Sequence, residues 1–149
     1  MLQQSSISTD LDHDLTLVLS THRSKVPGRC LTAHVPGNWN EAGMGGEPRT
    51  LNIVDARTLK ILIQALAREG ARIGWDVSLE ADHHGPTCSR PILFVEIGNS
   101  EAEWENKDAI EAVANAVIET VKIKTTQDSR LKTVFAIGGG HYPKTFTKI

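Results

Sequence analysis

Apolar positions change their spacing several times along this chain, and each change marks an element. Residues 15–19 (LTLVL) form a short continuous apolar run, as a buried strand does. Residues 31–35 (LTAHV) alternate apolar and polar, and 51–54 (LNIV) offers a third strand. Between these two lies PGNWNEAGMGGEP, a loop too long for a simple turn; loops of that length in compact domains are usually functional or disordered. From Asp55 the period becomes helical. Leu59, Leu62, Ile63, Leu66 and Ala67 follow i, i+3, i+4, i+7, i+8, with Asp55 as N-cap and Gly70 as the stop. Residues 75–81 (WDVSLEA) alternate again, a turn follows over 83–87, and 91–98 (PILFVEIG) reads as a central strand. Ser100 and Glu103 make a capping-box pattern, and Ile110, Val113, Ala114, Val117, Ile118 and Val121 predict a second amphipathic helix. A last strand is predicted at 133–137 (TVFAI), running into Gly138, Gly139, Gly140, His141, Tyr142 and Pro143. Strands alternating with helices predict an α/β fold whose sheet is at least partly parallel. One domain is expected over 1–149, with 1–13 and 144–149 loosely held.

Composition narrows the class without changing that picture. At 149 residues, 40% hydrophobic and 23% charged, the chain can bury a core without disulfides or a structural metal. Cys30 and Cys88 stand far apart and outside any CxxC pattern, which fits small semi-buried residues in a reducing compartment. No apolar run approaches the roughly 18 residues that span a bilayer. The start, MLQQSSISTDLDHD, lacks the basic and apolar regions of a signal peptide, so a cytoplasmic location is expected. A net charge of −2 means that any nucleic-acid contact must come from a local patch. Two such patches exist: His22 to Lys25 with Arg29, and Lys144 with Lys148. Arg23 and Lys25 are the phosphate-contact candidates of the first.

The chemistry gathers at histidines. In an α/β sheet, ligands bind beyond the carboxyl ends of parallel strands. His22, His34, His83, His84 and His141 all follow predicted strands, and only His13 does not. Adjacent residues on an extended chain point to opposite faces, but Gly85-Pro86 predicts a turn that lets His83 and His84 serve one site. Glu96 lies inside the apolar strand PILFVEIG; it faces solvent from an edge strand or is buried with a cation, a histidine or a metal. Glu80 carries the same ambiguity. Gly138, Gly139 and Gly140 let backbone amides approach a ligand closely, as an oxyanion hole requires. HExxH, the GxSxG elbow and a nucleophilic cysteine context are all missing, so water activated by histidine, carboxylate or metal is the expected nucleophile.

Together THRSK (21–25), HVPGNWNEAGMGGEPRTLNI (34–53), SLEADHHGPT (78–87), PILFVEIGNSEAEW (91–104) and GGGHYPK (138–144) resemble the archaeal and plant type of D-aminoacyl-tRNA deacylase. The resemblance implies a three-layer mixed sheet with flanking helices, similar to the peptidyl-tRNA hydrolase or phosphorylase-like fold. It also implies hydrolysis of the ester between a D-amino acid and the 3′ end of tRNA, a step of translation quality control, and association with Zn2+. Carried over by motif, His83, His84, Glu96 and His141 are the expected catalytic and metal-binding residues. His34, Gly37, Asn38, the three glycines 138–140, Tyr142, Arg23 and Lys25 are the expected substrate-binding residues. tRNA is the expected partner, to a monomer or homodimer, with no membrane or DNA involved. Two other readings remain: a non-catalytic tRNA-binding relative lacking the C-terminal wall of the pocket, and a metal-assisted hydrolase of a small ester or amide.

Overall fold

The computed structural model describes residues 12–25, 28–123 and 132–148. A mixed four-stranded sheet is built from β1 (Thr16–Thr21), β6 (Ile92–Gly98), β2 (Cys30–His34) and β5 (Asp76–Leu79), in that order. β1 runs parallel to β6, β6 antiparallel to β2, and β2 parallel to β5. A two-stranded ribbon, β3 (Gly37–Asn38) with β4 (Thr50–Leu51), lies apart from it.

Side-chain alternation divides the sheet into an apolar and a polar face. Leu31, Ala33, Leu93, Val95 and Ile97 point to one face. There they join Leu62, Ile63 and Leu66 of α1 (Ala56–Ile73) and Ala109, Ala112, Val113 and Ala116 of α3 (Lys107–Lys122) in one buried core. Each large apolar side chain buried there contributes roughly 1.5–3 kcal/mol. The alternate positions, Thr32, His34, Phe94 and Glu96, fall on the opposite face and are also buried. The expected α/β architecture, a mixed sheet with flanking helices, is what the structure has. Among the described residues no helix is long and apolar enough to cross a membrane.

Several predicted boundaries move, each for an identifiable reason. Asp55 caps α1 as expected, its carboxylate accepting from the Thr58 amide at 3.0 Å. The helix does not stop at Gly70 but runs on to Ile73, with Gly74 (φ 70°) as the left-handed cap. Gly70 serves close packing instead. A Cβ there would lie 2.6 Å from Val77 Cγ2 and 3.0 Å from the Trp75 carbonyl oxygen. Gly70→Ala is therefore expected to destabilise the fold by about 1–2 kcal/mol, overpacking outweighing the roughly 1 kcal/mol gain in helix propensity. Urea denaturation checks this; an unchanged or raised midpoint would mean that β5 moves aside freely.

The second predicted helix is two. The capping box of Ser100 and Glu103 starts a single turn, α2 (Glu101–Trp104), and Asn106 then caps α3 by accepting from the Ala109 amide at 3.0 Å. The strand expected over 51–54 contributes only Thr50–Leu51. The strand expected at 133–137 is not formed: a strand needs a partner edge, and among the described residues none pairs with it. Its Val134, Phe135 and Ile137 are exposed. Lys144–Thr147, expected to be loosely held, form a helical turn, α4. The Leu79 amide donates to Thr147 Oγ1 at 3.1 Å, docking that turn on β5. Residues 1–11 and 149 lie outside the described set.

Candidate functional site

The mixed sheet changes where a ligand crevice can form. Because β6 opposes β2, Gly98 at the carboxyl end of β6 faces Cys30 at the start of β2, and His34 faces Phe94. The carboxyl ends of the two parallel pairs thus lie at opposite ends of the sheet. The histidines meet across its polar face instead.

His22 follows β1 and lies over Gly98, where a Cβ would come within 3.3 Å of the imidazole. Trp104 Nε1 donates to the His22 carbonyl oxygen at 2.9 Å, anchoring its backbone. His22 Nδ1 sits 3.3 Å from Glu80 Oε1 and 3.4 Å from Glu96 Oε2. The hydrogen bond to Glu96 raises the His22 pKa, burial opposes this, and the Glu80 charge adds to it. With the ring charged, Nε2–H donates to the Tyr142 hydroxyl oxygen, 2.5 Å away. Two buried carboxylates thereby share one imidazolium.

Glu80 is the hub. Its fully buried carboxylate has Oε2 at 2.9 Å from His141 Nε2, 3.6 Å from His83 Nε2 and 3.9 Å from His34 Nδ1. Burial pushes its carboxyl pKa up, which the neighbouring His22 and His141 partly counter. β5 delivers it here: the alternation Asp76, Ser78, Glu80 keeps all three on the polar face, and the Glu80 amide donates to the Ala33 carbonyl at 3.1 Å.

The imidazoles nearest β2 are held neutral. Burial pushes the His34 pKa down to about 2, with the neighbouring histidines adding to the shift. Burial likewise pushes His83 down to about 4. His83 Nδ1 faces the Ala81 carbonyl at 2.8 Å, and His84 Nδ1 faces the Gly85 carbonyl at 2.5 Å. A nitrogen facing a carbonyl must carry the hydrogen, so a neutral ring presents Nε2 as a lone pair. Both of the buried His34 nitrogens are without a hydrogen-bond partner. The loop that aims His84 depends on close backbone packing: a Cβ on Gly85 would lie 2.4 Å from Gly45 C and Gly46 N. His84 itself adopts φ 46°, rare for a residue with a side chain.

Three groups here have ligand atoms close enough to hold a metal ion: His34, His83 and His84; His22, Glu80 and His141; and His34, Glu80 and Glu96. The first suits a divalent cation best, since burial lowers the pKa of two of its imidazoles, His34 and His83, and the Nδ1 atoms of His83 and His84 already face carbonyls. The orphaned nitrogens of His34 are what such a cation or a bound water would satisfy.

The D-aminoacyl-tRNA deacylase family model matches residues 9–149. The chain belongs to that family. It is 35% identical to a D-aminoacyl-tRNA deacylase of Methanococcus maripaludis, 39% identical to one of Halorubrum lacusprofundi and 38% identical to one of Thermococcus kodakarensis. These matches cover 98%, 97% and 94% of the chain but only 61%, 32% and 51% of the three relatives. A crystal structure of a conserved protein of unknown function matches with a TM-score of 0.74 at 33% identity, covering 80% of this chain and 43% of that one.

Seen with family membership, the expected site residues take definite places. His83, His84, Glu96 and His141 all lie on the polar face, but the metal-capable groups divide them rather than unite all four. His34, expected as pocket wall, is at the centre of the histidine cluster, its ring stacked on His83 with centroids 4.4 Å apart. Gly37 and Asn38 pin the long loop: the Gly37 amide donates to the His83 carbonyl at 3.2 Å, and Asn38 Nδ2 donates to the Gly45 and Glu47 carbonyls. Tyr142 touches His22. Gly138, Gly139 and Gly140 are exposed, the first two at positive φ. Arg23 pairs with Glu101 and lies over the Trp104 ring at 4.6 Å, so α2 engages it. Lys25 is exposed. The sequence did not put Glu80 or His22 among the site residues, but the structure brings both into the histidine cluster. The signal for Glu80 was its even-numbered register with Ser78; for His22, its position at a strand end.

Proposed function

We propose that this chain carries the hydrolytic centre of a D-aminoacyl-tRNA deacylase, cleaving the ester between a D-amino acid and the tRNA 3′ end with water. The observation that carries this reading is the His141–Glu80 pair: an imidazole at the rim, its side chain 42% exposed, 2.9 Å from a fully buried carboxylate. An aminoacyl ester is already activated, so a positioned water and a proton acceptor suffice. Glu80 orients His141, and His141 takes the proton of the attacking water and returns it to the departing ribose oxygen. His22, held charged between Glu80 and Glu96, keeps the two carboxylates from repelling each other. The amides of Gly138, Gly139 and Gly140, adjoining His141, are the candidate donors to the developing oxyanion.

His34, His83 and His84 would hold Zn2+, which when bound supplies Lewis-acid polarisation and a more acidic water. The family membership, the unpartnered nitrogens of His34 and the fixed tautomers of His83 and His84 support that assignment.

The decisive experiment compares release of a D- and an L-amino acid from matched aminoacyl-tRNAs by the purified chain, with and without added zinc. Faster release than buffer for the D-form, with the L-form spared, is expected; no difference from buffer in either condition defeats the reading. His141→Ala is expected to lower kcat about 10²-fold or more with little change in melting temperature, because a rim imidazole adds little to the core. A large thermal shift would assign His141 a structural role instead.

A further inference from the structure

Beside the histidine cluster, on the same polar face, lies a cleft of about 420 Å³, a size typical of small-ligand sites. Its floor is low because Cys30 and Ser78 are small, and the sheet register puts them on the same face as Thr32 and Glu80. Burial pushes the Cys30 thiol up to about 12, so the floor is uncharged. One wall is the Gly28 to Arg29 segment, tied to the end of β6 by the Asn99 Nδ2 hydrogen bond to the Gly28 carbonyl at 2.9 Å. The facing wall is α4, docked through Thr147 Oγ1, which lies 3.4 Å from Ser78 Oγ. Tyr142 closes the end nearest the cluster, and its hydroxyl meets His22.

Charge is what identifies the occupant. Among the described residues, Arg29, Lys144 and Lys148 line this cleft against a single carboxylate, Asp76, although the whole chain is net negative at −2. A neutral floor with a cationic rim fits a nucleoside whose phosphates stay at the edge. Arg29 of the first basic patch and Lys144 and Lys148 of the second, 115 or more residues apart in the chain, meet at this one rim. We propose that the cleft binds the 3′-terminal nucleoside of an RNA chain, with Arg29, Lys144 and Lys148 on the phosphates that precede it. This rests on the deacylase reading and deepens it: the terminal ribose would lie against Tyr142, which places the ester it carries toward His141 and Glu80.

The test pairs kinetics with a small probe. For Arg29→Glu and Lys148→Glu, KM for D-aminoacyl-tRNA is expected to rise about tenfold with kcat within threefold, and the salt dependence of kcat/KM to flatten. Lys60→Glu, an exposed site on α1, controls for net charge and should leave KM unchanged. Adenosine 5′-monophosphate should bind the wild-type chain and compete with the tRNA substrate, and both cleft variants should lose that binding. Hydrolysis with unchanged KM in the cleft variants, or without competition by the nucleotide, overturns the cleft assignment and leaves the deacylase reading standing. If wild type does not hydrolyse the substrate, the deacylase reading fails; nucleotide binding that Arg29→Glu and Lys148→Glu abolish would still support the cleft, and its absence would overturn that too.

Discussion

On the proposed deacylase reading, Glu80→Gln is expected to lower kcat for D-aminoacyl-tRNA hydrolysis about 10³-fold while the melting temperature stays close to wild type. The carboxylate lies within 3.9 Å of every imidazole of the cluster except that of His84, so its charge does several things together. It orients His141, it helps raise the His22 pKa, and it faces the lone pair of His83. Losses from a single oriented acid or base fall at about 10²–10⁴-fold, and a hub belongs in the upper part of that range. Stability behaves differently. Burial already favours the protonated carboxyl, so a neutral amide of the same shape removes charge that the fold bears at a cost. A variant with full turnover would remove Glu80 from the mechanism. One that is inactive and unfolded would make it a structural residue, a result that thermal denaturation of the same sample separates.

The expected prominence of Glu80 also shows what could be read in the chain beforehand. Local rules found what local physics determines: the helix cap at Asp55, the capping box at Ser100, and the strands of the main sheet all follow from short-range hydrogen bonding and side-chain periodicity. The histidine loops were legible only in part: His22, His34 and His83 end or follow strands that form, but the strand expected before His141 does not, and the polar face of a mixed sheet rather than a shared carboxyl end brings the rings together. What stayed hidden depends on partners distant in sequence. Gly70 looks like a helix stop until Val77 is seen packed against it. Residues 133–137 have the pattern of a strand, but pairing needs an edge, which no pattern within the segment can supply. Glu96 had equal claims to be solvent-facing or buried, and Glu80 shared that ambiguity; the central place of β6 and the polar face of β5 decide for burial in both cases. The position of His22 depends on a parallel β1–β6 pair and on Gly98 leaving room for its ring.

Chelator-treated protein is expected to lose stability steadily as pH falls from about 6.5 to about 4. His34 and His83 carry the effect, with folded pKa values pushed down to about 2 and about 4 from an ordinary 6.5. Below 6.5 the unfolded chain takes up protons that the folded protein refuses, so acid favours unfolding. Each such histidine contributes a slope of up to about 1.4 kcal/mol per pH unit until its folded pKa is reached. His83, with its side chain 29% exposed, contributes less than that because solvent screens it. His22 does not oppose the trend. Its folded pKa is raised, so its contribution is complete below 6.5 and is lost only as pH rises through the folded value. Glu80, also raised, gains its proton in the folded state first and offsets part of the loss toward the acid end of the window. Urea titrations at half-unit pH steps read the net slope directly. His34→Gln should remove about one proton from it, since glutamine has nothing to titrate, and a slope unchanged by that substitution would mean that His34 is protonated inside the fold.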